Sequence, residues 1–314
     1  MPNSFAARLP LARFEVDRDA ISRERENLLD ELWADPATRV LPIFRDTALL
    51  SSPTSLALVP VGAIEAATDA RPELLVYLGR STSTSSPEPA GTPILAALLG
   101  DAGSLADSEW GGLRAFGHQL SDRDAGLLTE ALGIINWHAV HQFSPKTGEL
   151  TVIEKAGWVR RDPVSGTEIF PRTDPAIIVG VTDSSDRILL GSNAMWESNR
   201  FSLLAGFVEP GESLESAVAR EIQEESGLTV IEPRYLGSQP WPFPASLMVG
   251  FTARVDEEFS GAATPDGSEI LELRWFSREQ LAGSLDDIIL PGRTSIARAI
   301  IEEWYGDAID DGPW

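Results

Sequence analysis

The chain of 314 residues contains no cysteine. This absence excludes disulfide bonds, thiolate nucleophiles and thiolate metal sites, and it is compatible with a cytoplasmic protein. Long apolar runs are also missing, since none approaches the roughly 18 residues that a membrane-spanning helix requires. The opening residues, MPNSFAARLP, lack an apolar stretch followed by a small-residue cleavage site. The sequence therefore predicts a cytoplasmic protein with no membrane segment and no secretory signal.

Positive charge is scarce as well. The chain has 25 lysines and arginines against 48 aspartates and glutamates, which gives a formal net charge of −23. Such an acidic surface repels phosphate polymers, so the composition does not favour a general nucleic-acid binder. It also indicates that any polyphosphate substrate has to be met by metal ions. The hydrophobic share of 43% is sufficient for a soluble globular protein with a sizeable core.

The pattern of the chain changes in its middle. In the first part strand-like runs, such as residues 56–62, alternate with helical patterns, and a helical stretch near 122–142 closes this part. The following segment is rich in glycine, proline and polar residues, which is typical of a boundary. A regular pattern of strands and helices restarts at residue 176. The predicted parts are residues 1–140, 141–172 and 173–314.

The stretch GFVEPGESLESAVAREIQEESGL, residues 206–228, gathers acidic side chains on one predicted helix face. Glu221, Glu224 and Glu225 stand at spacings i, i+3 and i+4, so their carboxylates crowd together. Like charges at these spacings destabilise a helix by a few tenths of a kcal/mol per pair. Ser213 is suited to the N-cap position, and a neighbouring apolar stripe can dock the helix on a sheet. That stripe consists of Leu214, Val218 and Ile222.

The full spacing of this stretch resembles the Nudix box at every defining position. The matching positions are Gly206, Glu212, Arg220, Glu221, Ile222, Glu224, Glu225, Gly227 and Leu228. The resemblance implies an α+β protein whose C-terminal part is a mixed sheet between helices. It also implies hydrolysis of a nucleoside diphosphate linked to another group.

The same resemblance assigns roles to the acidic residues. It makes Glu221 and Glu225 ligands of Mg²⁺ or Mn²⁺, and Glu224 a further ligand or the general base. It pairs Glu212 with Arg220, which would hold the helix in place. The chemistry agrees, because hard divalent cations prefer carboxylate and carbonyl oxygens and can acidify a bound water for attack on phosphorus.

A second stretch, SQPWPFPAS at residues 238–246, follows the box. Its alternate prolines exclude a helix and disfavour a central strand, which leaves a stiff extended segment. Trp241 and Phe243 are two residues apart, so they need not pack in the same place. The segment can be a surface loop with its aromatic rings in the core, or a rigid platform on which a flat ring stacks.

This stretch resembles the signature of the NADH pyrophosphatases, a subfamily of the Nudix hydrolases. The resemblance implies cleavage of NAD(H) into AMP and the reduced or oxidised nicotinamide mononucleotide, with Phe207 stacking on the nicotinamide. The substrate-binding residues it implies are Phe170, Phe207, Gln239, Pro240, Trp241, Pro242, Phe243, Pro244, Ala245, Ser246, Met248 and Ala297.

The metal ligands implied by the subfamily include one more glutamate and a backbone carbonyl. Glu269 fits the distal glutamate, and the carbonyl of Ala205 fits the backbone ligand. Because the spacing between the box and the distal glutamate tolerates insertions, Glu272 is a competing candidate. The implied metal ligands are Ala205, Glu221, Glu225 and Glu269.

Between its halves the subfamily normally carries a zinc ribbon with four cysteines. Residues 143–172 keep the glycine and aromatic frame of such a ribbon but not its ligands. The ligand positions hold Ser144, Thr147, Asp162 and Ser165. Hydroxyls are poor zinc ligands, so no structural zinc is expected. His138 and His141 lie close by, and we expect packing or capping roles for them.

The ribbon segment has to be held by packing, and the expected anchors are Trp158 and Phe143, with Gly148 and Gly166 in the turns. Phe170 stands where the subfamily often has tyrosine. This change removes a hydroxyl contact to substrate and keeps the option of stacking.

The first hundred residues resemble the subfamily weakly, and the implied role of this part is dimerisation. The expected assembly is therefore a homodimer. Removal of a 5′ NAD cap from RNA is a rival function, because it requires cleavage of the same bond. The charge of −23 argues against strong RNA affinity. Hydrolysis of ADP-ribose is another alternative. A non-catalytic nucleotide sensor is a third, and such proteins would be expected to lose box glutamates, which this chain retains.

Overall fold

The computed structural model describes residues 4–68, 70–82, 87–197, 199–258 and 260–310. The chain divides into two compact units. The N-terminal unit comprises Arg13–Thr173 together with the short piece Trp241–Ala245, and the C-terminal unit comprises the residues up to Ala12, Asp174–Pro240 and the chain from Ser246 onwards. In the described ranges no helix is both long and apolar enough to cross a membrane.

The N-terminal unit contains a mixed sheet and the longest helix of the chain. Its strands are β1 (Val16–Asp17), β2 (Arg39–Phe44), β3 (Thr47–Ser52), β4 (Ser55–Leu56), β5 (Val59–Pro60), β6 (Leu74–Ser81), β7 (Pro93–Leu99) and β8 (Trp110–Gly112). Its helices are α1 (Leu28–Ala34), α2 (Val61–Thr68), α3 (Leu113–Phe116) and α4 (Asp122–Val140), with 3-10 turns at Ala20–Glu24, Gly103–Leu105 and Gly117–Gln119. The strand order is β1-β6-β7-β2-β3-β4, with β5 beside β2 and β8 beside β3. Strands β2 and β7 run parallel.

The expectation of a continuous strand at residues 56–62 is wrong. The chain forms only the two-residue strands β4 and β5 there and enters α2 at Val61. Pro60 explains the interruption, because proline cannot donate a ladder hydrogen bond and its fixed φ suits the start of a helix. The helix expected near 122–142 is present as α4, capped by the Ser121 side chain on the Asp124 N–H.

After α4 the N-terminal unit ends in a small antiparallel sheet. Its strands are β9 (Val152–Glu154), β10 (Val159–Arg161) and β11 (Glu168–Ile169), in the order β11-β10-β9, with a 3-10 turn at Lys155–Gly157. Gly148 and Gly166 have φ values of 77° and 70°, and each N–H closes a turn onto the carbonyl four residues earlier. The predicted glycine turns of the ribbon are confirmed, since this left-handed conformation favours glycine.

The C-terminal unit is a second mixed sheet with helices on both faces. Its strands are β12 (Asp174–Thr182), β13 (Ile188–Asn193), β14 (Leu204–Phe207), β15 (Val230–Trp241), β16 (Ser246–Val255) and β17 (Ile270–Phe276). Its helices are α5 (Leu214–Ser226), α6 (Arg278–Gly283) and α7 (Ile296–Tyr305), with 3-10 turns at Phe5–Arg8 and Pro10–Ala12. The strand order is β15-β16-β12-β13-β17, with β14 beside β12 and with β12 parallel to β16.

Alternation along β12 divides the core of this unit between the two sheet faces. On one face Ile177, Val179 and Val181 pack with the apolar stripe of α5. On the other face Ile178 packs with the apolar side of α7. The predicted stripe is confirmed, because Val218 and Ile222 are fully buried and Leu214 packs against their cluster. The predicted mixed sheet between helices, and with it the α+β class, is also confirmed.

Candidate active site

Helix α5 carries the three clustered glutamates, and its ends are set by local sequence. The Ser213 hydroxyl accepts a hydrogen bond from the Ser216 N–H at 3.1 Å, as predicted for an N-cap. The helix ends at Gly227, whose φ of 68° is the left-handed conformation of a C-cap. Because the apolar stripe is buried against the sheet, the acidic face is directed away from that core.

Arg220 holds this acidic face together. Its guanidinium donates to both carboxylate oxygens of Glu212, at 2.8 and 2.9 Å, and to the Phe207 carbonyl at 3.0 Å. The pairing of Glu212 with Arg220 predicted from the sequence is confirmed. The same guanidinium lies 2.9 Å from one oxygen of Glu221 and 2.9 Å from one oxygen of Glu224. A bidentate pair of this kind fixes orientation as well as charge.

Glu221 lies directly against the backbone of β14. A Cβ built on Gly206 would stand 1.9 Å from the Glu221 carboxyl carbon, so only glycine permits this approach. Ala205, whose carbonyl is the implied backbone ligand, is the adjacent residue on the same strand. Burial raises the pKa of Glu221, and the Arg220 guanidinium opposes that effect.

Glu225 is the most deeply buried of the three glutamates, with 6% of its surface exposed. Its Oε2 is buried and accepts no hydrogen bond from any described residue. Burial, reinforced by the charges of Glu221, Glu269, Asp266 and Glu224, raises the pKa of Glu225 to about 8. A buried carboxylate oxygen that has no hydrogen-bond donor and lies beside other carboxylates is typical of a group that binds a cation.

The two candidates for the distal glutamate lie in different surroundings. The charge of Glu269 contributes to the raised pKa values of both Glu221 and Glu225, so Glu269 lies in their immediate electrostatic surroundings. Glu272 instead forms an ion pair with Arg274 on the exposed side of β17. The geometry therefore favours Glu269, which stands one residue before β17.

The chemistry of these groups fits a hard divalent cation. Three carboxylates and the Ala205 carbonyl would supply only oxygen atoms, which Mg²⁺ and Mn²⁺ prefer. The buried, unpartnered oxygen of Glu225 is directly suited to such a ligand role. Among the described residues, no three or more acidic or histidine side chains lie close enough together to hold a metal ion as they stand. Arg220 supplies the positive charge between Glu221 and Glu224.

The other predicted substrate residues of the C-terminal unit differ in accessibility. The Phe207 side chain is 59% exposed, as a stacking surface must be. Gln239 is fully buried, and its amide accepts from the Leu11 N–H and donates to the Thr294 carbonyl. Met248 and Ala297 belong to the apolar cluster between the sheet and α7, and the Ala297 N–H donates to the Ser295 hydroxyl. Pro240 and Ser246 are the points where the chain leaves and re-enters this unit.

Trp241, Pro242, Phe243, Pro244 and Ala245 belong to the N-terminal unit, as does Phe170, which is 60% exposed. The two rings of this loop do pack together, edge to face, with centroids 5.0 Å apart. The Arg114 guanidinium lies 4.1 Å from the centre of the Phe243 ring and 5.3 Å from that of Trp241. The Asn136 amide donates to the Pro242 carbonyl at 2.8 Å.

Arg114 is a residue that the sequence analysis did not identify. Its place in the run WGGLRAF, residues 110–116, does not indicate a contact with the later loop. Cation–π contacts of this kind are worth about 0.5–2 kcal/mol, so Arg114 fixes the position of the aromatic loop.

The ribbon is organised around Asp162, which no solvent reaches. One carboxylate oxygen accepts from the hydroxyls of Ser144 and Thr147, at 2.6 and 2.8 Å. The other accepts from the N–H groups of Val164 and Ser165, at 2.8 and 3.1 Å. These hydrogen bonds, the Ser144 hydroxyl first, hold the pKa of Asp162 well below its usual range. A carboxylate-centred network therefore joins the two turns at all four positions where the subfamily has cysteine.

The expected aromatic anchors of the ribbon are only partly right. The prediction that Phe143 anchors the ribbon is wrong, because 63% of the surface of this residue is exposed. Trp158 is an anchor through polar contacts: its indole N–H donates to the Tyr77 carbonyl at 2.8 Å, and the Arg23 guanidinium lies 3.5 Å from the ring centre. The sequence showed the tryptophan but not its long-range partners.

Both histidines have structural roles, as predicted. His138 is buried, and its Nε2 is 2.8 Å from the Gly157 carbonyl, so Nε2 carries the proton. Its Nδ1 then accepts from Arg160, and burial lowers the pKa of His138 to about 4. His141 lies with Nδ1 3.2 Å from the Trp137 carbonyl, at the end of α4.

Comparison with known families agrees with this geometry. Residues 171–298 match the model of the NUDIX domain. Residues 37–137 match the model of the NADH pyrophosphatase-like rudimentary NUDIX domain. The chain therefore contains a C-terminal NUDIX domain and an N-terminal NADH pyrophosphatase-like rudimentary NUDIX domain.

The chain is also similar to individual proteins. The chain is 50% identical over 204 residues to the NAD-capped RNA hydrolase NudC of Mycobacterium bovis, across 61% of this chain and 64% of that protein. It is 36% identical over 201 residues to the NAD-capped RNA hydrolase NUDT12 of Homo sapiens, across 59% of this chain and 43% of that protein. The match thus spans less than two thirds of the length of either relative. Among solved structures, a NUDIX hydrolase from Nitrosomonas europaea superposes with a TM-score of 0.42 at 22% identity, over 53% of this chain and 94% of that chain.

Proposed function

We propose that this protein hydrolyses the pyrophosphate bond of NAD(H), giving AMP and the reduced or oxidised nicotinamide mononucleotide. The observation that carries the proposal is the buried, unpartnered carboxylate oxygen of Glu225, which lies within the electrostatic reach of Glu221 and Glu269. The rudimentary NUDIX domain, whose model is named after NADH pyrophosphatase, supports the choice of dinucleotide.

In this mechanism Glu221, Glu225, Glu269 and the Ala205 carbonyl would hold Mg²⁺ or Mn²⁺. When bound, the ion would neutralise pyrophosphate oxygens and lower the pKa of a coordinated water. Glu224, whose side chain is 57% exposed, would act as the general base that accepts a proton from the attacking water, or as a further ligand.

Arg220 orients Glu221 and Glu224, because Glu212 already holds its guanidinium on two sides. The Arg220 side chain is therefore already ordered before substrate binds, which is the advantage of a pre-organised site.

Substrate recognition in this proposal relies on aromatic rings. Phe207 offers an exposed face beside Gly206, and stacking on an aromatic ring is worth roughly 1–3 kcal/mol per base. The loop from Trp241 to Ala245, held by Arg114 and Asn136, is proposed as a second binding element from its resemblance to the subfamily signature.

Removal of the 5′ NAD cap from RNA is the second candidate function. It is favoured by one observation, namely that both relatives above are named NAD-capped RNA hydrolases. The same bond would be cleaved by the same residues. The net charge of −23 works against tight binding of an RNA chain, so we propose free NAD(H) as the main substrate.

A product analysis tests the proposal. NADH, NAD⁺, ADP-ribose and NAD-capped RNA, at equal concentration and with Mg²⁺ or Mn²⁺, should be compared by chromatography of the products. We expect AMP and nicotinamide mononucleotide from NAD(H), and a loss of at least ~100-fold in turnover for Glu225→Gln with the fold intact. Faster cleavage of ADP-ribose or capped RNA would transfer the function to that substrate. Binding of NADH without turnover would indicate a sensor.

Three further features stay predictions: a homodimer, a cytoplasmic location and the absence of structural zinc. Of these, the absence of zinc has a direct structural argument, since Asp162 already satisfies the hydroxyl and N–H groups around it. Sedimentation of the full chain would decide the oligomeric state.

A further inference from the structure

Of the proposed metal ligands, Glu269 is the one that lies outside a helix or strand. Glu221 and Glu225 stand on a capped helix, whereas Glu269 precedes the first residue of β17. Its negative charge is also repelled by the two helix glutamates, whose pKa values it helps to raise. Something other than strand pairing has to hold this carboxylate against that repulsion.

A tight turn built on Asp266 holds the backbone of Glu269. The Asp266 carboxylate accepts from the Glu269 N–H at 3.0 Å, from the Ile270 N–H at 2.7 Å and from the Ser268 hydroxyl. Gly267, with φ of 75°, donates its N–H to the Ile270 carbonyl at 3.0 Å. These hydrogen bonds close the turn on both sides of Glu269.

The end of β13 holds Glu269 from the other side. The Ala194 N–H donates to the Glu269 carbonyl at 2.8 Å, and the Asn193 side-chain amide donates to Glu269 Oε1 at 3.3 Å. The orientation of the Asn193 amide is itself fixed, because its oxygen accepts from the Met195 N–H at 2.9 Å. Asn193 therefore presents its NH₂ group, and not its oxygen, to the carboxylate.

A β-bulge places these groups opposite one another. Ser192 pairs with Glu272 but Asn193 pairs with Ile270, so Leu271 is the extra residue. Its side chain is 56% exposed. Bulges of this kind re-aim neighbouring side chains and are frequent beside active sites.

We propose that Asn193 and Asp266 are positioning residues for Glu269, which they hold in place for a divalent cation. The inference rests on the proposed function, because it takes Glu269 as a metal ligand. Asp266 is not itself a competing ligand, since both its oxygens already accept backbone N–H groups. Outer residues that orient a metal ligand typically change metal affinity or activity by about 10–100-fold when they are replaced.

The test measures binding of Mn²⁺ alone to the full chain, by electron paramagnetic resonance of the free ion. The variants are Asn193→Ala and Asp266→Asn, with Glu269→Gln as the reference for loss of the ligand itself. The matched control is Asp183→Asn, because Asp183 accepts the N–H groups of Ser185 and Arg187 in the β12–β13 turn in the same way.

We expect Mn²⁺ to bind roughly tenfold more weakly to both positioning variants, and the control to stay within about twofold of the parent protein. Circular dichroism and the melting temperature of Asn193→Ala should be unchanged. Because these two measurements do not report on the metal site, the Mn²⁺ affinity is the decisive measurement. Parent-like affinity in both variants, while Glu269→Gln binds weakly, would overturn the positioning role alone. Parent-like affinity in Glu269→Gln would overturn the metal assignment with it. An equal loss in Asp183→Asn would also overturn the proposal, since the effect would then be general to turns.

Discussion

Glu130 on α4 provides a pH-dependent test of the N-terminal unit. The residue is 7% exposed, and neither carboxyl oxygen accepts a hydrogen bond from a described residue. The charged groups that face it are Arg18, whose Nε lies 3.6 Å from Glu130 Oε2, and Arg23. Burial outweighs both arginines and raises the pKa of Glu130 from 4.5 to about 7.

The sign of the effect on stability follows from this direction. Between pH 4.5 and pH 7 the unfolded chain has lost the Glu130 proton while the folded chain still holds it. Stability is therefore fully present below pH 4.5 and falls as the pH rises toward 7. At about 1.4 kcal/mol per pH unit, the loss between pH 5 and pH 8 is roughly 2–3 kcal/mol.

Glu130→Gln removes this ionisation with little change of shape. The variant should gain about 2–3 kcal/mol relative to the parent protein between pH 5 and pH 8, whatever its stability at pH 5. Urea unfolding of both proteins, followed by circular dichroism at the two pH values, measures the difference. Glu31→Gln is the control, because the exposed Glu31 pairs with Arg25 at the surface and such pairs are worth at most about 1 kcal/mol. A pH-independent difference between Glu130→Gln and the parent would refute the reasoning.

The remaining predictions concern the site and the ribbon. Gly206→Ala should lower turnover by at least ~100-fold, because its methyl group would displace the Glu221 carboxylate; Gly261→Ala, which has open space, is the kinetic control, and normal turnover in Gly206→Ala would contradict the site geometry. Trp241→Ala should weaken use of NADH more than use of a small pyrophosphate without nicotinamide; equal losses in kcat/KM would reduce Trp241 to a support of its loop. Asp162→Ala should lower the melting temperature, whereas EDTA should abolish turnover without lowering it; stoichiometric zinc that survives dialysis and disappears in this variant would show that the ribbon is a metal site.

Several features of the site could be predicted from the sequence because they depend on short-range geometry. The cap at Ser213, the buried stripe through Val218 and the pairing of Glu212 with Arg220 follow from helical spacing and a fixed motif. The glycine turns of the ribbon follow from the φ values that glycine permits. The cap, the ion pair and the turns join residues that are eight positions apart or fewer, and the stripe depends only on the helical repeat.

The errors and omissions in the site and the ribbon occurred where the outcome depends on the folded chain. The spacing alone could not choose between Glu269 and Glu272, because the choice depends on a turn and a bulge that pair β13 with β17. Phe143 looked like an anchor by its type, and only the packed ribbon shows that it faces solvent. The contact of Arg114 with Phe243 joins residues that are far apart in the sequence, which no periodicity can reveal.

The sequence by itself determined the NUDIX domain, helix α5 and the identity of its acidic residues, since these are encoded in one continuous motif. Tertiary structure alone decided which carboxylates come together, how deeply Glu225 and Glu130 are buried, and what replaces cysteine in the ribbon. The physical reason is that burial and electrostatic coupling depend on distances across the folded chain. Those distances are set by packing of whole elements, and a local pattern of residues contains no measure of them.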